Sequence, residues 1–328
     1  MLCRQLSSLN EQGEIKMPRD ASLKIMNKAH FHLPGLFEFF DFYKIFLPLY
    51  RAHHDWFYPW GHIASIYGSP AGCIWAGGRI EKSGISGSRG LEEVRDFLSS
   101  FGISARLTFS NSLLTKEHLA DKKCNSVCGI FEKGWGVKNG VILHSDLLLD
   151  YLKATYPDFY FVSSTTKVLT NFEDFRNEVK REDFSYVVPD FRLNKDFKNL
   201  NSLSQSQKDK VEFLCNECCW TGCRERKNCY ESVSREVLGL ESASVHVCKA
   251  PGGKEGYRFS KAMKNPPFIS ISDIQETYLP AGFSNFKIEG RSLGSALLLE
   301  FLLYYLTKPE FHIHLREELY LDNTLDLF

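Results

Sequence analysis

A chain of 328 residues with 43% hydrophobic and 24% charged residues can bury a large core, which excludes an extensively disordered protein. Forty basic residues balance forty acidic ones, so no net field draws the chain toward nucleic acid or a membrane surface. The longest apolar run, Ala296 to Leu306, is interrupted by Glu300 and falls short of the roughly 20 residues of a bilayer span.

Residues 1–28 are polar, mixed in charge and without the apolar stretch of a signal peptide. They are expected to form an extension to one domain over residues 29–328. The expected compartment is the cytoplasm, where thiols stay reduced and crowded cysteines more often bind metal or react than form disulfides.

From there, short apolar runs alternate with amphipathic stretches. A strand is expected at Phe31–Phe37, a helix at Phe39–Arg51 and a strand at His62–Tyr67. The aromatic run Trp56 to Trp60 between them reads as a packed loop or a contact surface. A helix over Leu91–Phe101 is bracketed by Gly90 and Gly102, and a strand at Ala105–Phe109 follows. Helix Leu119–Phe131 carries Cys124 and Cys128, which read as packing, as do Cys3, Cys73 and Cys215. Next come strand Gly140–His144, helix Leu147–Thr155, strand Phe159–Val162, helix Phe172–Lys180 and strand Tyr186–Val188. Strand Val211–Leu214, helix Arg224–Leu238, a loop-like excursion over Ala250–Ile271, strand Phe286–Ile288 and helix Ser295–Leu306 complete the pattern.

Eight such alternations fit a (β/α)8 TIM-like barrel better than an open doubly wound sheet. No G-x-G-x-x-G turn follows an early strand to suggest a dinucleotide site. In a barrel, function belongs just beyond the C-terminal ends of the strands. The polar residues expected there include Lys167, Asp190 with Arg192, Glu217, and Glu289 with Arg291.

Five of the ten cysteines fall between Cys215 and Cys229, and Cys248 follows. Cys219 and Cys223 end a strand–helix turn, Cys229 lies on the next helix and Cys248 returns from a later segment. Four thiolates drawn from such places suit a four-iron cluster or a tetrahedral zinc ion. Cys215 and Cys218 stand as alternatives for the third and fourth ligands. Arg224, Arg226, Lys227 and Lys249 flank the group and are expected to lower the thiol pKa values.

The stretch Phe286-Lys-Ile-Glu-Gly-Arg291 resembles the Leu-Lys-Ile-Glu-Gly-Arg signature of the collagenase-like peptidase family U-32. The order of strand, spaced cysteines and this motif is also similar. The resemblance implies a TIM-like barrel whose cysteines hold a 4Fe-4S cluster, with Cys219, Cys223, Cys229 and Cys248 as ligands and Glu289 and Arg291 at the mouth. The chain departs from the family in its cysteine spacing. Trp-Thr-Gly precedes Cys223 where the family has Ser-Gly, and Cys229 and Cys248 lie far apart where the family's later pair is close.

Family members include proteins described as proteases and others that support oxygen-independent hydroxylation of RNA bases or a quinone precursor. The resemblance therefore implies a cluster enzyme acting on a small molecule or nucleobase, sometimes with a partner subunit. Arg291, Arg192 and Lys167 would hold an anionic substrate, and Glu217, Glu289 or Asp190 would move protons. The alternatives are a peptidase and a zinc-stabilised non-enzymatic binding module. The first lacks H-E-x-x-H and G-x-S-x-G, and its nearest Cys–His pairing, His246 with Cys248, does not read as a ready dyad.

Overall fold

The computed structural model describes residues 28–78, 87–240, 248–251 and 256–325. Residues 1–27 of the expected N-terminal extension and His246 lie outside the described residues. Eight parallel strands form a barrel: β1 Ala29–Pro34, β2 Gly61–Gly68, β3 Ser104–Phe109, β4 Gly140–Leu143, β5 Tyr160–Ser163, β6 Tyr186–Val187, β7 Glu212–Leu214 and β8 Asn285–Lys287. Their order is β6-β5-β4-β3-β2-β1-β8-β7, and a parallel bridge between Val187 and Val211 brings the two outer strands together. The fold is the (β/α)8 TIM-like barrel expected from the alternation of elements.

Each expected strand is present to within a few residues. Helices α1 Phe40–Ala52, α2 Ser88–Ser100, α3 Lys122–Phe131, α4 Asp146–Thr155 and α5 Phe172–Lys180 follow β1 to β5 in turn. Side-chain caps set where several of them start. The Asp121 carboxylate accepts from the Cys124 amide at 2.8 Å, and Asn171 Oδ1 accepts from the Glu173 and Asp174 amides at 2.8 and 3.3 Å. Beyond β7 and β8 run the helices Arg226–Val237, Ser295–Tyr305 and His312–Leu325. Trp56 meets the first turn of the last of these at His314, 5.8 Å away, and stacks on Phe311 just before it at 5.7 Å, while Phe57 and Trp60 beside it are buried. Cys73 and Cys124, both read from sequence as packing thiols, are instead paired as a disulfide, while Cys128 and Cys215 stay in the core.

Because side chains alternate across a strand, the barrel has two cores. Outward-facing residues such as Phe31, Leu107, Val141, Phe161, Phe213 and Phe286 pack under the helices. Inside, an apolar layer of Tyr67, Ile142, Val162, Val188 and Leu214 is separate from that core. Next to it lies a charged layer from β1, β3, β7 and β8, in which Glu212 is the only carboxylate among the described residues. Its Oε2 takes Arg106 Nη1 at 2.5 Å, and its Oε1 takes Lys287 Nζ at 3.2 Å. Arg106 also donates from Nε to the Tyr160 hydroxyl at 2.7 Å and faces the Tyr186 ring. His32 Nε2 lies 3.6 Å from Glu212, but burial and the Arg106 charge keep the imidazole neutral, and its Nδ1 pairs with Ser65 Oγ at 2.8 Å.

Removing the charge of Glu212 leaves Arg106 and Lys287 buried without a counter-ion. Breaking a buried pair in this way costs about 3–5 kcal/mol. The expected outcome for Glu212→Gln is a loss of that order, read in urea denaturation as a lower midpoint with an unchanged slope.

Candidate functional site

The mouth of the barrel is shaped by alternate residues of β8 and its continuation. In Asn285-Phe-Lys-Ile-Glu-Gly-Arg291, Phe286 and Ile288 turn outward into the main core, whereas Lys287, Glu289 and Arg291 line one cavity. Every strand except β1 adds a residue at its C-terminal end. Tyr67 comes from β2, Thr108 and Ser110 from β3, Thr166 from the turn after β5, and Glu217 and Tyr230 from beyond β7.

Two side chains hold the β8 continuation in place after regular pairing ends. Asn216 Oδ1 accepts from the Glu289 amide at 2.7 Å, and its Nδ2 donates to the Glu289 carbonyl at 2.9 Å, so one side chain imitates a strand neighbour. The Tyr67 hydroxyl donates to the Ile288 carbonyl at 2.7 Å from the opposite side. Gly78 passes close by with φ +75°, and a Cβ there would lie 3.1 Å from Arg291 Nη2. A side chain at that position would be strained and would crowd the guanidinium.

The polar groups of the cavity fall into two sets. Arg291 is about nine-tenths buried, and its Nη1, together with Ser110 Oγ and Thr108 Oγ1, makes no hydrogen bond among the described residues. Buried donors rarely go unpaired in native proteins, so three lining one cavity mark where a ligand would pair. Lys287 also lines the cavity, with Nζ 3.7 Å from the Tyr67 ring centre and 3.2 Å from Glu212. Burial lowers its pKa to about 8, opposed by Glu212 and reinforced by the Arg106 and Arg291 charges. The site thus combines an anchoring cation, hydroxyl donors, an amine that is partly neutral near pH 8, and the carboxylates Glu217 and Glu289.

The residues expected from sequence divide on this geometry. Glu217, Glu289 and Arg291 meet in the cavity. Asp190 is fully buried and grips Arg192 through both carboxylate oxygens, at 2.6 and 3.0 Å, with Arg226 Nε 3.7 Å away. Arg192 is further committed to the Cys223 carbonyl at 2.8 Å, and Lys167 to Glu178 at 2.6 Å. Of the three cations expected to hold an anion, Arg291 is the one that lines the cavity.

The cysteines stand on the rim. Cys219 and Cys223 are partly buried in the loop between β7 and the helix Arg226–Val237, while Cys229 and Cys248 are exposed. Cys218, an alternative, is also in that loop, and Cys215 is buried beneath it. No three His, Cys, Asp or Glu side chains among the described residues are grouped to hold a metal ion, so the four thiols as they stand do not fit a cluster or a zinc site. Arg226 pulls the Cys219 pKa down as expected, but other neighbours outweigh it. Burial and the neighbouring Glu217 push that thiol up. Arg226 turns inward, donating to Glu217 at 2.6 Å and to the Tyr230 hydroxyl at 2.7 Å.

Lys287, Thr108, Ser110 and Tyr230 were not singled out from sequence. For Lys287 a signal was present: polar residues at 285, 287, 289 and 291 alternate with Phe286 and Ile288, which places Lys287 on the same inward face as Glu289 and Arg291.

No family model and no curated protein matches the chain. Among solved structures, that of the U32 peptidase Mk0906 is similar, with a TM-score of 0.47 and 12% identity over 85% of this chain and 97% of that one. The resemblance is partial.

Proposed function

We propose that the chain binds a small organic anion at the C-terminal mouth of its barrel and moves protons on it there. The observation that carries this reading is the set of buried donors, Arg291 Nη1, Ser110 Oγ and Thr108 Oγ1, directed at one cavity. A carboxylate is the simplest partner for a guanidinium flanked by hydroxyls, because its two oxygens match the planar donor fork. Glu217 and Glu289 stand at the same cavity as acceptors for protons removed from the ligand.

Oxygen-independent hydroxylation of a small molecule or nucleobase, implied by the motif resemblance, is the finer form of this proposal. It requires a 4Fe-4S cluster. The cofactor proposal rests on the crowding of thiols in sequence. With Cys219, Cys223, Cys229 and Cys248 as they stand, no step can be derived through a cluster or through zinc. Anaerobic purification with analysis for iron, sulfide and zinc tests it. Four irons and four sulfides per chain would establish the cluster and require the rim thiols to close together. Zinc alone would favour a structural ion, and no metal would remove the proposal.

Oxalate is a suitable probe of the anion site because it offers carboxylates without a reactive carbonyl. The expected outcome is saturable binding by calorimetry, weakened about ten- to a hundredfold by Arg291→Met, as loss of a charged hydrogen bond worth about 1.5–3 kcal/mol requires. Equal binding by both proteins would place the anion elsewhere.

A further inference from the structure

Lys287 is a charged cavity residue that the anion reading leaves without a task. A buried lysine paired with a glutamate has a plain structural explanation, and Glu212 supplies it from below. Two features go beyond that explanation. Lys287 is among the residues that line the cavity. The anion it bonds among the described residues, Glu212, is shared with Arg106, which holds the closer contact at 2.5 Å against 3.2 Å. The Tyr67 ring face, 3.7 Å from Nζ, favours the charged form and is outweighed by burial, which disfavours it.

Arg291 stands on the same inward face of the same segment, four residues on. We propose that Lys287 forms an imine with a 2-oxo acid whose carboxylate is held by Arg291 and whose carbonyl carbon faces Nζ. This rests on the anion reading of the cavity and names its substrate class.

The step balances without a further reactant. The neutral Nζ attacks the C2 carbonyl carbon and forms the C–N bond. The carbonyl oxygen leaves as water, taking one proton from the amine and one from solvent through the open mouth. The product is a protonated imine and one water, with no change of oxidation state.

The charged and titratable groups around Nζ decide how much amine is neutral. Glu212 of β7 favours the ammonium, whereas Arg106 of β3 and Arg291 beyond β8 oppose it. His32 of β1 is neutral, and Tyr67 of β2 presents its ring face. At pH 8 a group titrating near 8 is about half neutral, roughly a hundredfold more than an ordinary lysine titrating near 10.4.

The experiment is borohydride reduction of the full chain incubated with pyruvate at pH 8, followed by peptide mass mapping. The result expected is the reduced pyruvyl adduct on Lys287 in large excess over any surface lysine. Oxalate should suppress it, and Arg291→Met should lower it about tenfold or more at limiting pyruvate. An adduct spread evenly over surface lysines, or none on Lys287, overturns the inference. Should Lys287→Arg fail to fold, the mapping on the unaltered chain still decides. Oxalate binding without trapping removes the imine and leaves the anion site standing. Failure of both removes the two together.

Discussion

The structure turns on one buried carboxylate. Glu212 sits at the centre of the barrel with Arg106, Lys287 and His32 around it, and it is the only negative charge among the described residues of that layer. Three strands far apart in sequence, β3, β7 and β8, are tied to the same side chain. A buried network of this kind is weak support for stability in itself, because desolvation offsets most of the attraction. Its effect is positional. It fixes which way β8 faces, and thereby delivers Lys287, Glu289 and Arg291 to the mouth in a single row. Removing the carboxylate would lower the Lys287 pKa further, since Glu212 is what raises it.

The fold was largely legible because its strands are short apolar runs and its helices amphipathic stretches of ordinary length. Phe172–Lys180 is found with the expected bounds because Asn171 caps it and the apolar face of Phe172, Phe175 and Val179 continues to its end. The charged interior was less legible. Strands buried on both faces read as continuous apolar runs, and single charges such as Arg106 and Glu212 look like interruptions. Only the partner across the barrel, supplied by another strand, gives them meaning.

The cysteines illustrate the opposite case, a strong pattern in sequence that space does not gather. Cys219 lies in the loop and is partly buried, while Cys229 is exposed on the helix that follows. The basic residue read as an aid to the thiols, Arg226, points inward because Glu217, Tyr230 and Asp190 offer it partners in a buried position. Neighbours in sequence are thus divided between the rim and the cavity wall. The expected anion cations divide for the same reason: Arg192 and Lys167 have carboxylates within 2.6 Å, and Arg291 has a cavity in front of it.

The central claim is that the barrel core delivers a desolvated, partly neutral amine to an anion-binding cavity. The most direct measurement is an NMR pH titration of the chain labelled with 13C at the lysine Cε, with the Lys287 signal assigned by its loss in Lys287→Arg. The account predicts a midpoint near pH 8, far from the bulk of the lysines. A midpoint near the ordinary value of about 10.4 would mean a well-solvated ammonium and would contradict it.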